Sequence, residues 1–160
     1  GYNVDLMSYL FGSILTVPTT DLLIMAGLAV FISGLVFVFY PDILALSYDE
    51  EFALIRGVPV KTIYYLMIVL LAITIVMVIQ VVGLILIIAL LTIPPYIMEK
   101  YAKSLFQMMI GASLIGAFFT LVGLFLSYQF NLTSGATIIL VAGCGFFFVL
   151  AFQYLLKVRK

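Results

Sequence analysis

Residues 62–98 read TIYYLMIVLLAITIVMVIQVVGLILIIALLTIPPYIM and carry no charged side chain. About 20 apolar residues cross a hydrocarbon layer about 30 Å thick, so a run of this kind is a membrane signal. As one helix rising about 1.5 Å per residue it would extend about 55 Å, too far for one crossing. The run must therefore break. The polar Gln80 and the Gly83 behind it are the candidates near its middle. The reading is a span over about 61–80 and a shorter one over about 83–98. Pro94 and Pro95 are expected to interrupt the shorter piece, because proline removes a donor and clashes with the preceding turn.

The rest of the chain agrees in character. Its 160 residues are 66% hydrophobic and 9% charged, with mean hydropathy +1.37. Soluble domains lie near half apolar and a quarter charged. The expected fold class is an all-α polytopic membrane protein, with residues 1–160 forming a single membrane domain and the lipid bilayer as first partner. Net charge is zero and no basic block occurs, which argues against nucleic acid as a partner. There is no His and one Cys, Cys144. A soluble-type zinc site, a Cys/His nucleophile and a disulfide framework are all unsupported. The first residue is Gly and no signal peptide opens the chain, so an N-terminally truncated piece is expected.

Three further spans complete the count: about 21–40, ended by Pro41, then about 104–128 and 134–156. Five crossings place segments 41–60, 99–103 and 157–160 on one side. All seven basic residues, Arg56, Lys61, Lys100, Lys103, Lys157, Arg159 and Lys160, then share it, which makes it the cytoplasmic side by the positive-inside rule. Reading 62–98 as one span would move Lys100 and Lys103 outside, so sidedness also favours the break. Within residues 1–20, SYLFGSIL reads either as a half-helix at the outer face, closed by Pro18 with Thr20 or Asp21 capping the next helix, or as an ordinary loop. Small residues recur at helical spacing: Ala112, Gly116, Thr120, Gly123 and Ser127 in the fourth span, and Ala26, Ala29 and Ser33 in the first. Such faces let helices approach closely.

One charged stretch stands apart, LSYDEEFALIRGVPV at 46–60. Ser47 with Glu50 has capping-box spacing. Asp49, Glu50 and Glu51 lie in a first turn, where the helix dipole favours acids. Tyr48, Phe52 and Ile55 make one apolar face. Gly57 suits a left-handed C-terminal position, and Pro59 stops the helix. The reading is a self-contained helix over about 48–56. It either docks into a groove on a soluble partner or lies on its own membrane domain.

This stretch, followed by Gln80-Val81-Val82-Gly83 and the Leu-rich run to Pro94 and Pro95, resembles the ABC-type metal-ion permeases, the membrane subunits of zinc, manganese and iron importers. The pattern carrying the resemblance is Asp49, Glu51, Ala53 and Gly57 ahead of an apolar helix, with SYLFGSIL and LTSGATIILV in similar style. The resemblance covers essentially the whole chain and corresponds to the C-terminal part of such a permease, with a type II importer fold. It implies a homodimer in a bacterial or archaeal plasma (inner) membrane. It also implies a cytoplasmic ABC ATPase and an extracytoplasmic metal-binding protein as partners.

In that resemblance the loop helix is similar to a coupling helix, with Asp49, Glu50, Glu51, Phe52, Ala53 and Gly57 as its contact and shape residues. Gln80, Gly83, Pro94 and Pro95 correspond to hinge or translocation-path positions. The chain departs from the pattern at Pro95, Met98 and Glu99, and it lacks His. No metal ligand is assigned, no catalytic residue is named and no cofactor is expected. A Gly-Lys phosphate loop is absent, so ATP hydrolysis falls to a partner. The competing readings are a gradient-driven carrier or channel-like protein, and a membrane scaffold. Gradient-driven carriers usually hold intramembrane acids or His. Asp5, Asp21 and Asp42 all lie near span ends.

Overall fold

A computed structural model describes Ile14 and residues 17–159. Seven helices run through the described residues: α1 Thr19–Val38, α2 Tyr40–Tyr48, α3 Glu50–Ile55, α4 Val60–Val82, α5 Leu84–Glu99, α6 Leu105–Phe130 and α7 Ser134–Val158. By length and composition α1, α4, α6 and α7 are each able to cross a membrane, and α5 is a shorter apolar helix of 16 residues. The five expected spans correspond to α1, α4, α5, α6 and α7. The half-helix expected in SYLFGSIL lies outside the described residues, apart from Ile14.

The chain divides into two compact units, one over Val17–Val78 and the other taking Ile79–Lys160. In the first, α1 begins at Pro18, whose extended backbone (φ −60°, ψ 143°) occupies the cap position without a side-chain bond. Thr20 and Asp21 therefore lie inside the helix and do not cap it. None of the α1 residues is buried, including the small Ala26, Ala29 and Ser33. Pro41 does not trail the first span. It sits in the opening turn of α2, where its missing N–H removes no helical bond.

The second unit packs α5, α6 and α7 together. The break between α4 and α5 falls at Gly83, whose φ of 87° and ψ of 156° require glycine. Contrary to expectation, α5 continues as helix through Pro94 and Pro95 to Glu99. The prolines deprive the carbonyls of Leu90 and Leu91 of their intrahelical donors. The helix is retained because Pro94 is fully buried and α6 lies against it. A Cβ on Gly116 would stand 3.7 Å from the Pro94 ring.

The small face of α6 proves to be a packing face, with Gly123 and Ser127 buried. A Cβ on Gly123 would meet the Ile138 Cα at 2.7 Å, and one on Gly145 would meet the Phe119 ring at 2.7 Å. Ile97, Phe119 and Ala142 form the core these contacts enclose. Ser104 caps α6 by accepting from the Gln107 N–H (3.2 Å), while the Gln107 side chain accepts from the Lys103 N–H (3.0 Å). Asn131, left-handed at φ 51°, closes the far end, and the Ser127 hydroxyl donates to the Leu132 carbonyl at 2.6 Å. At the other end of the bundle the Lys100 ammonium donates to the Gln153 side-chain oxygen at 2.7 Å.

Elsewhere hydroxyls turn back on their own helices. Those of Ser47, Thr74, Thr92, Ser113, Thr120 and Thr137 each donate to the carbonyl four residues earlier, at 2.6–2.8 Å. Among the described residues no buried side-chain polar atom lacks a partner.

Gly123→Ala is expected to lower stability by about 1–3 kcal/mol, because the Ile138 backbone cannot yield cheaply. Gly116→Ala, which adds an ordinary contact, is expected to be near neutral. Thermal unfolding of the purified protein in detergent checks the contrast.

Candidate functional site

The charged stretch folds as a helix with both ends locally closed. Asp49 leaves the helical region (φ −160°, ψ 120°), and its carboxylate accepts from the Glu51 N–H at 2.9 Å. This N-cap satisfies one of the free donors of a helix start. The capping box expected from Ser47 and Glu50 does not form, because Ser47 belongs to α2 and bonds the Ile43 carbonyl. The expected helix over 48–56 is thus α3 proper at Glu50–Ile55, with Asp49 and Arg56 as its caps. Asp49 is itself a preferred capping residue, and that signal was available in the sequence.

The C-terminus closes as a Schellman motif. The Val58 N–H donates to the Ala53 carbonyl and the Gly57 N–H to the Leu54 carbonyl, both at 3.0 Å. Gly57 takes the left-handed conformation at φ 78° that the motif needs. The Pro59 carbonyl then accepts from the Ile63 N–H at 3.0 Å, starting α4.

Burial separates the small residue of the helix from its large apolar ones. Ala53 has no exposure and packs with Ala45 and Val60, with Leu46 and Val58 closing around them. Phe52 is 49% exposed and Ile55 84%, and Tyr48 is also open. Small Ala53 thus lets α3 sit close on α2 and the start of α4, and the larger apolar side chains point away. Glu50 and Glu51 are exposed beside them, and the Arg56 guanidinium lies 5.4 Å from the centre of the Phe52 ring. This stacking orients both groups on the outer surface. Asp49, Glu50, Glu51, Phe52, Ala53 and Gly57 are therefore one local constellation in which Asp49, Ala53 and Gly57 shape the helix and the other three face outward.

The second predicted set does not gather. Gln80 is exposed near the end of α4, Gly83 is buried at the helix break, and Pro94 and Pro95 lie in the last two turns of α5. Gly83 and Pro94 are 11 residues apart, about 16 Å along the helix. Sequence reasoning missed the polar group at the foot of α5, where Gln153 also donates to the Tyr101 hydroxyl at 3.4 Å and Lys100 lies 5.3 Å from the Tyr96 ring centre. Among the described residues no group of three or more His, Cys, Asp or Glu side chains is arranged to hold a metal ion.

Apolar spans, a glycine-broken pair and a short capped helix at a span boundary define a multi-pass α-helical membrane protein. Residues 1–153 match the ABC 3 transport family, and the chain belongs to that family. It is 51% identical over 153 residues to an uncharacterized membrane protein of Synechocystis, covering 96% of this chain and 54% of that protein. It is 36% identical to the manganese transport system membrane protein MntC of Listeria monocytogenes, over 94% of this chain and 54% of the relative. The manganese import system permease protein ScaB of Streptococcus pneumoniae is 37% identical over 99% of this chain and 56% of its own length. The solved structure of PsaBC from Streptococcus pneumoniae in complex with Fab superposes with a TM-score of 0.87 at 37% identity, covering 99% of this chain and 58% of that one. The chain thus spans about half the length of the curated relatives it matches.

Gly57→Val is expected to destabilise the α3 turn by about 1–2 kcal/mol, since a β-branched residue resists positive φ. Asp49→Ala should cost about 1 kcal/mol through the lost cap. Both are read as faster amide exchange at Glu51 and Val58, with α6 and α7 unaffected.

Proposed function

We propose that this chain is part of the permease subunit of an ATP-driven importer of divalent metal ions in a bacterial plasma membrane. Manganese is the first candidate cargo, because two of the relatives carry manganese transport in their names. Zinc and iron are the remaining members of the class. In this reading the chain is a transporter membrane segment, not an enzyme, and ATP is hydrolysed by a partner subunit. The chain belongs to one membrane domain of a homodimer, and an extracytoplasmic metal-binding protein delivers the ion.

The observation that carries the reading is the outward face of α3. Ala53 fastens the helix to its own chain, which leaves Phe52, Ile55 and two glutamates for something else. An apolar patch rimmed by charge is the usual mark of a protein contact. The basic residues flanking this segment, Arg56 and Lys61, put it on the cytoplasmic side by the positive-inside rule. An ATPase docked there would move α2, α3 and the start of α4 as one body, because their shared apolar core joins them. Gln80, Gly83, Pro94 and Pro95 then border the translocation path, with Gly83 as the hinge.

The test uses the full-length permease with its ATPase, after Cys144→Ser. Phe52→Cys should crosslink to the ATPase and Leu132→Cys should not. Phe52→Ala should reduce metal transported per ATP by about tenfold, the scale of losing one aromatic anchor. A folded Phe52→Cys protein that gives no crosslink would move the reading to a gradient-driven carrier.

A further inference from the structure

Beside α3 lies a cavity of about 450 Å³ lined by Leu46, Glu50, Val60, Lys61, Tyr64 and Tyr65. We propose that it binds the headgroup of a zwitterionic phospholipid, with the phosphate on Lys61 and a primary amine on Glu50. The inference requires α4 to enter the membrane here; it shares Glu50 with the face of α3 proposed for the ATPase and is tested with the permease alone.

The volume falls within the range of small-molecule sites, about 300–1,000 Å³. Its depth in the membrane follows from the charge pattern. Lys61 is the last charged residue before the uncharged run 62–98, so it marks the boundary between water and hydrocarbon. A lysine at a helix end extends its ammonium toward that boundary. Tyr64 and Tyr65 stand one turn further in, both more than half exposed, with ring centres 6.3 Å apart and edge-on. Tyrosine rings favour the headgroup level. Leu46 and Val60 supply an apolar floor.

The charges select the ligand class. One acidic and one basic residue, Glu50 and Lys61, line the same cavity. A phosphate and an amine on one short headgroup would satisfy both. Asp49 and Glu51 flank Glu50 in the chain, so a headgroup of net negative charge meets local repulsion. A quaternary amine would offer Glu50 no N–H donor. Phosphatidylethanolamine therefore fits better than phosphatidylglycerol or phosphatidylcholine.

The experiment places the full-length protein in nanodiscs with a photoreactive phosphatidylethanolamine and maps labelled peptides by mass spectrometry. Labelling at residues 60–65 is scored against labelling on the exposed face of α6, which reports general lipid contact and folding. The expected result is labelling at 60–65 that unlabelled phosphatidylethanolamine displaces and phosphatidylglycerol does not. Lys61→Met and Glu50→Gln should each reduce it about tenfold, and Glu50→Lys should shift the preference to phosphatidylglycerol. Unchanged labelling in Lys61→Met or Glu50→Gln would overturn the site. So would a Glu50→Lys protein that gains no phosphatidylglycerol labelling. Displacement by water-soluble phosphoethanolamine at the same concentration as the lipid would overturn the lipid as occupant.

Discussion

Hydrocarbon offers no partner to a free peptide group, and an unpaired N–H or C=O there costs several kcal/mol. A membrane chain can therefore bend only where its backbone bonds are handed from one helix to the next. Gly83 does this in a single residue. Its N–H donates to the Ile79 carbonyl at 3.0 Å, ending α4, and its carbonyl accepts from the Ile87 N–H at 3.2 Å, opening α5. The backbone angles that allow the exchange are open to glycine alone. The position of this break sets where Pro94 meets Gly116, and so how α5 rests against α6.

Much of this was legible in the sequence because it follows from length and sidedness. The run 62–98 was too long for one crossing, and Lys100 and Lys103 needed a second crossing to join the other basic residues. Gly57 followed by Pro59 announced the end of α3 by local chemistry. The failures share another cause, which is competition between local and tertiary partners. Ser47 had the spacing of a cap, but its hydroxyl was better used on the Ile43 carbonyl within α2. Pro94 and Pro95 break a helix in isolation, and here the burial of Pro94 holds α5 together. Tyr48, Phe52 and Ile55 formed the apolar face the sequence showed, but spacing left open whether it turned inward or outward, and it is exposed. The contact with the chain itself is made by Ala53, whose small size brings the backbones close. Spacing alone does not tell an inward stripe from an outward one.

The two kinds of packing in the chain differ in origin. At the loop helix, bordering water, apolar burial of Ala45, Ala53 and Val60 and backbone caps act together. Within α5–α7, lipid is as apolar as the helices, so close approach at Gly123 and Gly145 replaces the hydrophobic drive. Repulsion rises steeply inside contact distance, so a methyl group fits 3.7 Å from the Pro94 ring at Gly116 and overlaps the Ile138 Cα, 2.7 Å away, at Gly123.

The hydroxyls that bond back to their own helices have a mechanical consequence. Thr92, Ser113, Thr120 and Thr137 spend their donors within α5, α6 and α7, so they form no polar rungs between them. Lys100 and Gln153 link α5 to α7 at one end. Small displacements of one helix along another then break few directional bonds. Directional bonding thus opposes sliding of α5 on α7 at this foot, while hydroxyls further along the helices add no such resistance.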